Sequence, residues 1–188
     1  MDAITALQQR NSSARLIDPA PKGDDRHAIF QAALRAPDHA RLRPWRFLTV
    51  EGDARLTLGE KMASAAKIDN PELDPAIYEK LKLAPLRAPL LVIVIAKISE
   101  HPKVPEVEQI LSAGAAATKL LTAAHALGYA GIWRTGSVSF SRTFMSSIGL
   151  QANEKMVGFI YLGTADGPSK PLPDMAVDDF FQAWRSVG

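Results

Sequence analysis

The stretch "PLLVIVIA" at 89 to 96 is the longest uninterrupted apolar run in the chain and is rich in β-branched residues. A strand that is apolar at every position is buried on both faces, so this segment predicts the central strand of a sheet. A second strong strand is expected in "KMVGFIYLG" at 155 to 163, with shorter ones in "FLTV" at 47 to 50 and "AGIWR" at 130 to 134. Helices fill much of the remainder. Asp2 can cap a first helix with apolar positions at Ile4 and Leu7; a second is expected from Asp24 or Asp25 to Arg35, where Pro37 stops it. Residues 53 to 67 and 75 to 83 also read as helical, and "DNPELDP" between them makes 67 to 76 a loop or lid. A short helix is expected in "FSRTFMSSIGL".

From Val104 to Gly128 the pattern predicts a long helix whose middle, "LSAGAAATKLLTAAHAL", is apolar almost all round. Such a helix is buried on nearly every side. The small side chains from Ser112 to Ala117 let another backbone approach closely, either inside the same core or from a second subunit. After the last strand, "ADGPSKPLPD" opens an exposed arm, 165 to 188, that carries Phe180, Phe181 and Trp184. Helices and non-adjacent strands alternate without internal repeats, which predicts a single domain over residues 1 to 188, of α+β or three-layer α/β class.

Composition narrows the function classes. With 47% hydrophobic and 22% charged residues the chain can build a core. The absence of cysteine removes thiolate nucleophiles, disulfides and cysteine metal sites, and fits a reducing, cytoplasmic setting. No targeting segment or membrane span is read from the sequence. The net charge is only +2, but residues 1 to 50 hold eight Lys/Arg against five Asp/Glu. Local positive charge without a domain-wide basic surface fits a small anion better than a nucleic acid.

Phosphate-loop, dinucleotide-fingerprint, nucleophile-elbow and zinc-protease motifs are all missing. The four histidines, at 27, 39, 101 and 125, are scattered without metal-ligand spacing, so no metal is expected. His125 reads as a hydrogen-bonded core residue. Two cationic stretches remain. In "QQRNSSARL", Arg10, Asn11, Ser12 and Ser13 gather a guanidinium, an amide and hydroxyls in one turn, donors suited to a phosphate but equally ordinary at a helix end. "RAPDHARLRPWRF" places Arg35, His39, Arg41, Arg43 and Arg46 in thirteen residues, with Trp45 and Phe47 entering the core.

Taken in order, the R-x-S turn, "RAPDH", "RPWRF", "SAG" in a small-residue helix, "GYAGIWRTG" and "VGFIYLG" resemble the bacterial nitroreductase family, in particular its minimal YdjA-type members, over about residues 1 to 164. The resemblance implies an α+β fold, a mixed sheet flanked by helices, and a domain-swapped homodimer with FMN at the interface. It implies that Arg10, Asn11 and Ser12 grip the FMN, with Asn11 standing where the family has arginine. Arg35 and His39 are implied to reach the flavin across the dimer, and Trp133, Arg134 and Thr135 to border it, with Gly131 and Gly136 letting the chain bend close. Residues Ala123, Ala124, His125, Ala126, Leu127 and Gly128 resemble a stretch linked with the nicotinamide nucleotide. Arg43 and Arg46 are assigned no contact, and removal of Arg46 is expected to change little.

The implied activity is FMN-dependent oxidoreduction by ping-pong chemistry. Hydride passes from NADH or NADPH through FMN to a planar acceptor such as a nitroaromatic or quinone. The cofactor supplies the reactivity, which accounts for the missing catalytic motifs. The alternative from another class is a non-enzymatic flavin-binding or flavin-storage protein.

Overall fold

The structure, a computed structural model, describes residues 1 to 184; the last four residues of the expected arm lie outside the described residues. At the centre of the sheet, β3 (Leu90–Lys97) pairs with β2 (Trp45–Glu51) on one edge and with β5 (Glu154–Ala165) on the other. The free edge of β5 takes β4 (Ala130–Arg134), and its end pairs with the two-residue β1 (Leu16–Ile17). The sheet was expected to be mixed, yet among the described residues every strand pair is antiparallel. The reason is topological. β3 and β4 run the same way but never touch, because β5 inserts between them. The one parallel contact is an isolated bridge between Ser12 and Gly131.

The apolar run of β3 serves two cores, as its composition predicts. Leu91, Ile93 and Ile95 meet Phe159 and Tyr161 on one face, under Leu58 and Met62 of α3 (Ala54–Asp69) and Phe144 of α6 (Arg142–Ser147). Leu90, Val92 and Val94 join Ile160 and Leu162 on the other. There α2 (Gly23–Ala33) contributes Ile29 and α5 (Glu106–Ala126) contributes Ala116, Ala117 and Leu120. Full burial of each such aliphatic side chain contributes roughly 1.5–3 kcal/mol, so the period-2 alternation of one strand ties both helical layers to the sheet.

One boundary shifts. Helix α3 continues through Asp69, and α4 (Pro75–Lys82) begins at once after Asp74, whose side chain caps Ala76 N at 2.7 Å. The loop expected at 67 to 76 therefore contracts to 70 to 74. Asp69 accepts hydrogen bonds from Ser141 and Thr143, both at 2.5 Å, fixing the end of α3 to the start of α6.

The small-residue face of α5 is occupied within its own chain. Ser112, Ala113, Ala116 and Ala117 are buried where α2 packs, and Ser112 Oγ donates to Pro37 O at 2.5 Å. What α5 leaves exposed is Val107 and Leu111, while Ile4 and Leu7 of α1 (Ala3–Gln9) are exposed as well. Among the described residues no helix is long and apolar enough to cross a membrane.

Candidate functional site

Asp2 caps α1, its carboxylate accepting from Ile4 N and Thr5 N at 3.1 and 3.0 Å, and the helix ends at Arg10. The chain then runs beside β4, where Ser13 N donates to Gly131 O at 3.2 Å. This carries Arg10 and Ser12 to the last turn of α5. Together with His125, Gly128 and Lys170 they line a cavity of about 460 Å³. Arg10 Nη1 and His125 Nε2 are buried there without a hydrogen-bond partner among the described residues. His125 was expected to be satisfied in the core; its Nε2 is indeed shut off from solvent, but it has no hydrogen-bond partner among the described residues.

Asn11 has a local explanation. Its amide nitrogen donates to Lys170 O at 2.9 Å and its oxygen accepts from Ser12 N at 2.8 Å. The side chain thus fastens the start of the C-terminal arm to the Arg10 turn. Arg15 and Lys170 add positive charge to the cavity lining, against one carboxylate, Asp166. Neither was among the residues expected from sequence; Lys170 was out of reach of a local reading because only tertiary folding returns residues 165 to 170 to the N-terminal turn.

Strand β4 separates its site candidates by face. Trp133 turns toward α5 and donates through Nε1 to Val157 O at 3.3 Å. Gly158 makes this possible: its φ is +149°, and a Cβ there would lie 2.3 Å from Trp133 Nε1. Arg134 points to the opposite face, its guanidinium carbon 5.9 Å from the centroid of the Tyr161 ring, with Nε buried and without a partner among the described residues. Burial raises the pKa of the Tyr161 hydroxyl above its ordinary value, with the nearby positive charge of Arg134 opposing the shift. Thr135 lies just beyond the strand, exposed.

The cationic turn folds around its single acid. Asp38 accepts from Leu42 N at 3.1 Å and Arg43 N at 2.7 Å, and Ala40, Arg41 and Arg43 all have positive φ. Arg35 is exposed at the end of α2, and His39 Nδ1 lies 2.6 Å from a carboxylate oxygen of Glu108. Glu108 occupies the first turn of α5, whereas His125, beside Arg10, occupies the last. At 1.5 Å per residue those positions are about 25 Å apart along the helix. One protomer therefore does not bring His39 to Arg10.

Residues 123 to 128 do not share one surface. Ala124 is fully buried in the core, Leu127 is exposed, and His125 and Gly128 line the cavity.

The nitroreductase family model matches residues 7–164. The YdjA protein of Escherichia coli (strain K12), provisionally named an NAD(P)H nitroreductase, is 42% identical over 167 residues, covering 87% of this chain and 88% of its own. Among solved structures, the nitroreductase-like family protein from Bacillus cereus superposes with a TM-score of 0.82 at 18% identity, over 99% of this chain and 97% of its own. The FMN-dependent nitroreductase NfnB from Mycobacterium smegmatis, solved in complex with NADPH, gives 0.74 at 18% identity, over 97% and 98%. A family match across most of the length, a 42% identical relative and the same fold agree: this chain belongs to the nitroreductase family.

Proposed function

We propose that the protein is an FMN-dependent NAD(P)H oxidoreductase, and that the Arg10 cavity receives the phosphate end of the flavin. The observation that carries this reading is the mainly cationic lining of this cavity, Arg10, Arg15 and Lys170 against Asp166, with Arg10 Nη1 buried and lacking a partner among the described residues. A guanidinium only donates hydrogen bonds, so the group that satisfies it is an acceptor, and a phosphate monoester fits. NfnB, which shares the fold, is FMN-dependent. Bound here, FMN supplies hydride acceptance from NADH or NADPH and delivery to a planar acceptor such as a nitroaromatic or quinone.

The protein's part is to bind and orient. Arg10 and Ser12 hold the phosphate end, while Asn11 acts from behind by holding the arm. Trp133 offers a ring on the α5 face, and Arg134 and Thr135 border the flavin through their backbone. The nicotinamide nucleotide falls to the accessible members of the 123 to 128 stretch.

Arg35 and His39 come from a second copy of the chain. If two α5 helices pack antiparallel, the first turn of one lies beside the last turn of the other, which closes the distance that separates His39 from Arg10. The exposed apolar residues Val107 and Leu111 on α5, with Ile4 and Leu7 on α1, support such an assembly.

A visible spectrum of the purified protein, before and after anaerobic NADH or NADPH, tests the function. Flavin absorbance that bleaches with a nicotinamide nucleotide is expected. A yellow protein inert to both nucleotides would instead support simple flavin binding, and failure to bind any flavin would remove the reading altogether.

A further inference from the structure

We infer that Glu108 is a positioning residue for His39: it holds the imidazole by Nδ1, so that Nε2 is the nitrogen presented to the flavin across the dimer. The inference rests on the reading above that His39 serves a flavin of a second copy, and adds to it a residue and a role. His39 Nδ1 lies 2.6 Å from Oε2 of Glu108. An ionised carboxylate only accepts, so Nδ1 carries the proton between them whether the ring is neutral or charged, and Nε2 is the nitrogen left for a ligand. The partner of one ring nitrogen thereby sets what the other can do.

The grip is built into one face of α5. Glu108 and Ser112 are four residues apart and therefore neighbours on the helix surface. Both reach the same segment: Ser112 Oγ donates to Pro37 O at 2.5 Å, and Glu108 takes the side chain two residues on. On the far side of His39 the Asp38 carboxylate secures the backbone by accepting from Leu42 N and Arg43 N. The turn is thus held on both sides of His39, and the ring itself by Glu108. Neighbouring charges do not compete for this carboxylate. Glu106, the other acid in the first turn of α5, pairs with Lys155, and among the described residues the ion pair of Glu108 is with His39. The two side chains are 53% and 44% exposed, and so exposed a pair contributes little to folding. Folding stability therefore does not account for the contact; ring orientation does. Exposed Val107 and Leu111 flank Glu108 in α5, which places the pair beside the apolar face assigned above to the second copy.

A double-mutant cycle separates positioning from a direct effect of the Glu108 charge. Flavin-depleted full-length protein is titrated with FMN, following flavin fluorescence, for wild type, Glu108→Ala, Glu108→Gln, His39→Ala and the double variant Glu108→Ala with His39→Ala. His39→Ala is expected to weaken FMN binding about ten-fold, and Glu108→Ala about three-fold because a loosened ring keeps part of its hydrogen bond. Glu108→Gln, whose amide oxygen still accepts from Nδ1, is expected to bind nearly as wild type. Adding Glu108→Ala to His39→Ala is expected to cost nothing further. On the unmutated holoprotein, long-range ¹H–¹⁵N spectra at about pH 8.5, well above the ordinary histidine pKa, are expected to show His39 protonated at Nδ1, a readout independent of how the variants fold. Three results would overturn the inference and leave the His39 reading standing, provided His39→Ala is weakened: a Glu108→Ala affinity equal to wild type, a Glu108→Ala loss that persists undiminished without His39, or a wild-type Nδ1 that carries no proton. A Glu108→Gln as weak as Glu108→Ala would do the same. FMN affinity unchanged in His39→Ala, or a wild type that binds no flavin, would overturn both.

Discussion

Arg46 on β2 and Glu154 at the start of β5 form a two-pronged ion pair, Nε and Nη2 donating to the two carboxylate oxygens at 2.8 and 2.7 Å. Glu154 is buried and also accepts from Gln151 N at 2.9 Å. Arg46 was assigned no flavin contact; its structural part is to neutralise a buried carboxylate two strands away in the same sheet. Arg46→Ala should destabilise the protein by about 3 kcal/mol, toward the low end for a broken buried pair because Arg46 is partly open to water. Denaturant titration of the variant measures this.

The same pair sets an acid limit. Its hydrogen bonds from Arg46, and secondarily from Gln151 N against the opposing effect of burial, hold the Glu154 pKa below its ordinary 4.5. A depressed carboxylate contributes stability that is fully present above 4.5 and is lost as pH falls through the folded value. Thermal melts from neutral into acid pH should show wild type losing stability in that window. Glu154→Gln should be less stable at neutral pH and show a flatter acid decline.

The contrast between β3 and this pair shows what a sequence makes legible. β3 announces itself because burial on both faces leaves a local, uninterrupted apolar signature. The caps at Asp2 and Asp74 are equally local. Arg46 and Glu154 are 108 residues apart, and no pattern near either residue marks the partner. The same holds for the site. Arg10, Ser12 and Arg15 stand in one local stretch, whereas Lys170 and His125 join them in a lining only when the arm, β4 and the end of α5 converge. Period-2 alternation along "AGIWR" did contain one further signal: adjacent Trp133 and Arg134 must face opposite sides of the sheet.

The Asp38 turn should prove structurally demanding. Ala40, Arg41 and Arg43 adopt φ of 60°, 56° and 49°, a region costing non-glycine residues roughly 1 kcal/mol or more each, and the Asp38 carboxylate bonds to Leu42 N and Arg43 N hold it. Asp38→Ala should cost about 1–3 kcal/mol. Ala40→Gly should instead be neutral or stabilising, since glycine accepts that φ freely. A denaturation midpoint that ranked the two variants the other way would contradict this account of the turn.

Gly158→Ala tests the seat of Trp133. The added methyl would lie 2.3 Å from Trp133 Nε1 and 2.9 Å from Arg134 O, at a φ of +149° that disfavours alanine. The indole must shift and lose its bond to Val157 O. A loss of about 1–3 kcal/mol is expected, with a changed tryptophan fluorescence spectrum in the native state. An unaltered spectrum and stability would show that the close packing of Gly158 and Trp133 is not a constraint.

Arg35→Ala decides whether the end of α2 belongs to the flavin site of a second subunit. Arg35 is exposed and makes no side-chain ion pair among the described residues, so within its own chain its removal should alter stability by no more than about 0.5 kcal/mol. A charge-assisted hydrogen bond to a flavin, by contrast, contributes about 1.5–3 kcal/mol, and its loss should weaken FMN binding roughly ten- to a hundred-fold. It should also lower the flavin midpoint potential, because a cation favours added negative charge on the reduced ring. Lys103, exposed in the loop before α5, serves as the control for loss of a surface cation. The expected result is therefore an unchanged melting temperature for both variants once depleted of flavin, with weakened FMN binding and a lowered potential in Arg35→Ala alone. Because the effect is assigned to a neighbouring subunit, it should depend on association. Sedimentation that found a monomer holding stoichiometric FMN, or equal FMN affinity in Arg35→Ala and wild type with the dimer intact, would return Arg35 to ordinary surface.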